Sequence, residues 1–168
     1  AGLAPLLGLS APAFAQDADA LARQLSNPIA SLTSVPMQFN WDTGLGPDDD
    51  GGRVTLNVQP VIPMSIGEDW NLISRTIVPI VNQWDVVPGQ GDQVGLGDTV
   101  QSLFFSPKAL TAGGWTWGVG PVFLLPTATD DFLGTEKWGA GPTAVALRQT
   151  ASGWSYGLLF NHLWSFAG

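Results

Sequence analysis

The feature that most constrains this chain is a repeated alternation of apolar and polar residues, often with a tryptophan at one end. In residues 35–42 every second residue is apolar, and the same alternation returns in residues 54–59 and 115–125. A period of two places successive side chains on opposite faces of a strand. Strands with one apolar and one polar face, separated by turn residues, are typical of a membrane β-barrel.

Composition favours the same fold. The chain is 45% hydrophobic with 8 Trp and only 12% charged residues, whereas about 25% charged residues is usual in soluble proteins. No apolar run approaches the roughly 18 residues that a spanning helix needs. With 21 Gly and 13 Pro in 168 residues, the sequence predicts a single all-β, antiparallel domain rich in turns.

Charge and cysteine content exclude several kinds of partner. The net charge is -8, from 6 Lys and Arg against 14 Asp and Glu, and nucleic-acid binding needs clustered cations. The absence of cysteine excludes disulfides and thiolate metal sites. No cofactor, metal or nucleic acid is therefore expected.

The first residues resemble the second half of a secretory signal peptide. Residues 1–15 form an apolar stretch that ends in a small-x-small cleavage site at residues 13–15. The alternative is a buried N-terminal helix, which Pro5 and Pro12 disfavour. The charged start of a signal is missing, so we expect the chain to be a fragment.

Residues 16–28 predict a short periplasmic helix. Leu21 and Leu25 fall on one face of residues 17–26, and Pro28 ends the pattern. One interpretation is a segment that plugs the periplasmic mouth of a barrel. The other is a loosely packed leader, and the sequence does not decide between them.

Residues 29–168 predict part of an outer-membrane β-barrel. About seven transmembrane strands are expected, at residues 32–41, 54–64, 70–81, 99–105, 115–125, 138–147 and 154–166. Long connections alternate with short ones, and such barrels have long loops outside and short turns in the periplasm.

Tryptophans mark the ends of the predicted strands. Aromatic girdles occupy both membrane interfaces of such barrels, whereas a soluble β-sandwich would scatter its indoles along the strands. The predicted girdle consists of Trp41, Trp70, Trp84, Trp115, Trp138 and Trp154.

Polar residues within the strands are candidates for a lumen lining. A cation on the lipid face near the bilayer midplane costs about 2–4 kcal/mol, so Arg75 is expected to face inward. The lumen-lining candidates are Gln38, Asn40, Asn57, Gln59, Arg75, Gln101 and Asn161. The alternative is that they satisfy polar neighbours in a filled interior.

Two strands fit the alternation less well. In residues 70–81 the expected phase also turns Ser74 and Thr76 toward lipid, with Ile73 and Ile77 inside. In residues 154–166 the phase that turns the apolar side chains toward lipid also turns His162 toward lipid, unless a bulge near Asn161 shifts the register.

Three other motifs could suggest a ligand site or a catalytic site, but each has a simpler structural interpretation. Residues 95–98 (GLGD) precede a strand instead of a helix, so a strand-entry turn is favoured over a phosphate site. Residues 48–52 (DDDGG) lack the spaced ligands of a calcium loop. His162 is the single histidine, and Ser155 and Ser165 fall on the opposite face, so no catalytic residues are predicted.

Several short motifs together resemble a known family. They are residues 27–28, 36–40, 95–98, 104–107, 120–121, 126–129, 141–142 and 161–165. In order and spacing they resemble Gram-negative outer-membrane proteins of the "MetA-pathway of phenol degradation" type, some of which carry the label neuromedin U. The resemblance covers nearly all of the mature chain and implies a transporter β-barrel for small hydrophobic or aromatic compounds.

The expected function is therefore a passive, porin-like outer-membrane transporter in contact with lipid and lipopolysaccharide. The alternatives are a structural or adhesive barrel without transport and a barrel-borne lipid hydrolase. Oligomeric state is not predicted. The chain lacks the terminal aromatic residue of the family, and its odd strand count predicts an incomplete wall whose first and last strands are not paired to each other.

Overall fold

The alternating segments build one antiparallel sheet. The computed structural model describes residues 20–22, 29 and 31–168, and within them ten strands curl into half a barrel. The strands are β1 (Met37–Leu45), β2 (Gly51–Val58), β3 (Val61–Ile66), β4 (Trp70–Trp84), β5 (Gln93–Leu96), β6 (Thr99–Pro107), β7 (Trp115–Leu125), β8 (Trp138–Gln149), β9 (Ser155–Asn161) and β10 (Trp164–Ala167). The prediction of an incomplete, antiparallel all-β barrel is confirmed.

The ten strands occupy seven positions across the sheet. The order is β1-β2-β4-β6-β7-β8-β10, while β3 also pairs with β4, β5 with β4 and β9 with β8. Hence β2 and β3 lie end to end along one side of β4, and β5 and β6 lie end to end along its other side. In the same way, β9 and β10 lie end to end along β8. The predicted number of sheet positions is right, although three of them are divided.

Each division lies beside a proline. Pro60 separates β2 from β3, Pro79 of β4 faces the gap between β5 and β6, and Pro142 of β8 faces the gap between β9 and β10. The carbonyl groups of these prolines accept hydrogen bonds from Thr76, Gly97 and His162 at 3.0, 2.9 and 3.0 Å. Because proline has no N–H, the return bond of the ladder is missing.

The gap between β5 and β6 is a bulge. Leu96 pairs with Ile80 and Val100 pairs with Ile77, so three residues on one side face two on β4. Strand β5 lies in a segment that the sequence pattern assigned to a loop. The extra residue falls at the Gly97–Asp98 step, inside the motif that was interpreted as a strand-entry turn.

A bulge near Asn161, which would have turned His162 inward, is not found in the structure. Asn161 pairs with Thr143 and Trp164 with Ala140, so equal numbers of residues separate the two pairs on each strand. The register shifts only later, between Ser165 and Ala167.

Alternate residues divide the sheet into an inner and an outer face. The inner face carries the most buried side chains, among them Ile73 and Phe104, which are both 0% exposed. Side chains converge on the concave side of a curled sheet, so this is the side that faces into the half-barrel. The outer face carries the neighbouring alternate residues, including Phe39, Trp41 and Leu158.

The inner face has a small apolar core toward the short-turn end of β4. Ile29 is 3% exposed and clusters with Val61, Ile73, Phe104 and Val145. A residue from the segment before β1 therefore packs inside the half-barrel.

The predicted signal remnant, residues 1–15, lies outside the described residues. Of the predicted helix only residues 20–22 are described, and these are helical. No helix in the described part of the chain is long and apolar enough to cross a membrane.

The three connections that were predicted to be long lie at one end of the sheet. They join β1 to β2, β4 to β5 and β7 to β8. The last of these, residues 126–137, reaches back to β4 and β5, where Phe132 and Thr129 contact Gln83 and Leu96. The predicted alternation of long and short connections is wrong at one place, because β1 and β2 extend into the loop expected at residues 42–52. Only residues 46–50 remain between them, fewer than the residues 108–114 between β6 and β7.

Both lateral edges of the sheet are open. Strand β1 pairs only with β2, and β9 and β10 pair only with β8, within the described residues. The expectation that the first and last strands are not paired to each other is confirmed.

Candidate functional site

A chain of hydrogen bonds joins three sheet positions on the inner face. The Arg75 guanidinium donates to Oε1 of Gln59 at 2.6 Å, and Gln59 Nε2 donates to Oε1 of Gln38 at 3.0 Å. Gln38 Nε2 then donates to Oδ1 of Asn40 at 2.9 Å. Arg75 is therefore held by neutral amides, and its positive charge stays on the concave side of the sheet.

Six of the seven lumen-lining candidates share this face. The strand pairing puts them in phase with Arg75, and they are Gln38, Asn40, Asn57, Gln59, Arg75 and Asn161. Asn161 is the one set apart, because it lies across the sheet on β9, where its side-chain oxygen accepts from the Thr143 hydroxyl.

Gln101 lies on the outer face, so its prediction as a lumen-lining residue is wrong. It pairs with Thr76, whereas Arg75 pairs with Ser102. The Thr76 hydroxyl donates to Gln101 Oε1 at 2.6 Å, and Gln101 Nε2 donates to the Ser74 hydroxyl at 2.9 Å. The three polar groups that point outward therefore satisfy one another, which removes the difficulty noted for Ser74 and Thr76.

The tryptophans predicted as a girdle belong to the outer face. Trp41, Trp70, Trp84, Trp115 and Trp138 occupy outward positions of their strands. Trp154 precedes β9 and is 74% exposed. The indoles at the short-turn end contact other rings, with Trp70 against Trp117 and Trp115 against Tyr156 at centroid distances of 6.0 and 5.6 Å.

His162 also stays on the outer face, between two aromatic residues. Its ring lies 6.4 Å from that of Phe160 and 4.4 Å from that of Trp164. Ser155 and Ser165 occupy inward positions, since they pair with Gln149 and Gly139. The imidazole and the two hydroxyls therefore lie on opposite sides of the sheet.

A second polar cluster, which the sequence interpretation missed, lies near the long-loop end. Arg53 Nε donates to Oε1 of Gln83 at 2.9 Å, and Gln83 Nε2 donates to Oε1 of Gln93 at 2.8 Å. Gln83 is 0% exposed. Arg53 is in phase with Thr55, so extending the polar alternation one step before residue 54 would have found it.

Asp98 fixes the connection between β7 and β8. One carboxylate oxygen accepts from the backbone N–H and the hydroxyl of Thr135 at 2.7 and 2.8 Å, and the other accepts from the N–H of Ala128 at 3.3 Å. Leu96 N–H donates to the Thr129 hydroxyl at 2.9 Å, and Thr129 N–H donates to the Leu96 carbonyl at 3.0 Å. The motif at residues 95–98 is thus the docking point of residues 126–137.

The docked loop and the inner face enclose a cavity of about 400 Å³. Its strand residues come from β2, β4 and β7, and its roof comes from the loop. The lining is Arg53, Thr55, Pro79, Val81, Gly97, Asp98, Leu124, Phe132, Leu133, Gly134 and Thr135. A neighbouring cavity of about 240 Å³ includes Asp98, Asp130, Asp131 and Glu136, yet no cluster of metal ligands forms in the described part of the chain.

Comparisons with protein-family models, with curated proteins and with solved structures find no match to this chain.

Proposed function

We propose that this chain forms part of the wall of a transmembrane β-barrel in the outer membrane of a Gram-negative bacterium. Its role is a passive, channel-like route for small hydrophobic or aromatic compounds. The observation that carries the proposal is the separation of side chains between the two faces of the curled sheet. The motif resemblance to the phenol-degradation type of outer-membrane transporter points the same way.

The outer face supports the membrane part of the proposal. Large apolar side chains are exposed there from the first strand to the last, among them Met37, Phe39, Trp41, Ile62, Met64, Ile80, Val94, Val119, Leu158, Phe160 and Trp164. Soluble monomers rarely leave an apolar surface of this extent uncovered. Lipid would cover it, and three polar side chains on this face, Ser74, Thr76 and Gln101, bond to one another.

The inner face supports the channel part. A curled sheet with amides and a guanidinium on its concave side can line a hydrated path. Arg75 is bonded to a neutral amide, so its charge remains available to passing solutes.

The test is single-channel recording. The natural protein, purified in detergent from outer membranes, should insert into planar bilayers and give discrete conductance steps. Inserted, heat-modifiable protein that passes no current would favour the structural barrel. Recovery of the protein in the soluble periplasmic fraction without detergent would contradict the membrane assignment itself.

A further inference from the structure

The cavity under residues 126–137 has walls that are held in place before any ligand arrives. Five hydrogen bonds, three to Asp98 and two between Leu96 and Thr129, fix the loop above the inner face. The loop is also closely packed, since a Cβ at Gly134 would lie 2.7 Å from Oδ1 of Asp98. A volume of about 400 Å³ is within the range of small-molecule sites.

Arg53 supplies the polar recognition element of this cavity. Its Nε is bound to Gln83, and that amide is itself held by Gln93 and lies 3.5 Å from the Phe132 carbonyl oxygen. The terminal nitrogens of Arg53 have no hydrogen-bond partner among the described residues. The guanidinium is thus held in one orientation through Nε and keeps its two terminal nitrogens free. These can donate to the two oxygens of a carboxylate.

The acidic groups nearby do not occupy this guanidinium. Asp98 lines the cavity, but its two oxygens are taken by Thr135 and Ala128. Asp42 is the cross-strand neighbour of Arg53, but it does not line the cavity. The Asp98 carboxylate keeps its negative charge, which opposes anionic ligands and disfavours a dicarboxylate more than a monocarboxylate.

The cavity also has an apolar part, beside the polar Thr55, Asp98 and Thr135. Pro79 and Val81 of β4 and Leu124 of β7 contribute from the sheet, while Phe132 and Leu133 contribute from the loop. Burial of apolar ligand surface against these side chains contributes about 25 cal/mol per Å². The cavity therefore offers one site for an anionic head and an enclosed place for a compact hydrocarbon body.

We propose that this cavity binds a small organic monocarboxylate with an apolar body, oriented by Arg53. The inference rests on the proposed function, for which it names the substrate class and its first binding position behind the long loops. A neutral carboxamide of the same shape would fill the apolar part of the cavity but offer the guanidinium only one uncharged acceptor oxygen.

The test compares two probes of the same shape, cyclohexanecarboxylate and cyclohexanecarboxamide. Each is titrated calorimetrically into the natural protein in detergent micelles, and the result is the ratio of their affinities. The carboxylate should bind more tightly. Arg53→Gln should lower that ratio by about tenfold or more, because the carboxylate loses a charged hydrogen-bond pair whereas the amide loses at most a weaker neutral hydrogen bond.

Two further variants make the result decisive. Arg53→Lys keeps the charge but not the planar fork, so it should lower the ratio even if Arg53→Gln fails to fold. Arg148→Gln removes a cation from the outer face of β8, outside the cavity lining, and should leave the ratio unchanged. An unchanged ratio in folded Arg53→Gln, or in Arg53→Lys when the glutamine variant does not fold, would overturn the proposal.

Failure of this inference differs from failure of the proposed function. Conductance without Arg53-dependent carboxylate binding would contradict the proposed binding site but agree with the proposed channel. Arg53-dependent binding by a protein that passes no current would contradict the proposed channel but agree with the proposed binding site.

Discussion

At the scale of single residues, Arg75 connects sheet positions that are distant in sequence. Its bond to Gln59 continues through Gln38 to β1, so one guanidinium organises polar groups from β4 to the edge of the sheet. Gln59 is 6% exposed, and a buried amide oxygen that loses its donor costs about 1–3 kcal/mol.

Replacing Arg75 tests its role in ion selection. Arg75→Ala should leave the protein folded but lower any anion preference of the proposed channel, because the cation on the inner face is lost. The measurement is the reversal potential in a salt gradient, and Arg75→Lys, which keeps the charge, is the control. Unchanged selectivity in folded Arg75→Ala would contradict this role, and lost folding in both variants would show that Arg75 is a structural tie.

Two glycines of β7 provide a matched pair for packing. A Cβ at Gly120 would overlap the carbonyl oxygen of Leu103, whereas a Cβ at Gly118 would lie 3.2 Å from Cβ of Phe104. Gly120→Ala should therefore destabilise the protein by about 1–3 kcal/mol through overpacking, and Gly118→Ala should cost less. The midpoint of heat-modifiable gel migration would measure both, and equal midpoints would contradict the tight strand contact.

At the scale of elements, the connection between β7 and β8 behaves as part of the sheet. Its hydrogen bonds run to β5 and to the bulge at Asp98, which lies opposite Pro79. Bulges are frequent where a strand redirects a side chain. Here the bulge supplies the carboxylate that holds the loop against the inner face.

Removing that carboxylate should release the loop. Asp98→Ala deletes three hydrogen bonds to residues 128 and 135, each worth about 1.5–3 kcal/mol when one partner is charged. Trypsin should then cleave after Lys137 at least about tenfold faster. Asp131→Ala is the control, since this side chain, in the same loop, makes no hydrogen bond within the described residues. Equal cleavage of the two variants would show that the loop is held by other contacts.

At the scale of the whole molecule, two features require surroundings other than water. The outer face is apolar across the sheet, and the edges at β1 and at β9 and β10 are unpaired in the described structure. Each unpaired backbone group in hydrocarbon costs several kcal/mol. The 168-residue chain alone therefore has both an exposed apolar surface and strand edges that invite pairing.

The chain expressed alone should consequently aggregate in buffer and stay dispersed only in detergent. Size-exclusion chromatography with light scattering would measure this. A monodisperse, protease-resistant species formed in buffer by these residues would contradict both the open sheet and the lipid-facing surface.

The sequence alone determined where most strands lie and which way most of their side chains point. Strand β7 begins and ends at the predicted residues. Ile73, Arg75 and Ile77 of β4 point to the inner face, as expected. Alternation is a local property, because adjacent side chains on a strand must point to opposite faces. Such a property can be read from one segment without knowing its neighbours.

Only the tertiary structure decided which partner each segment meets. Gln101 lies in a strand with polar residues in both phases, so its face was set by pairing with Thr76. The break opposite Pro142 and the bulge opposite Pro79 depend on prolines in neighbouring strands. The cavity at Arg53 depends on a loop about 80 residues further along the chain. These contacts are non-local, and a pattern within one segment carries no information about the strand that will lie beside it.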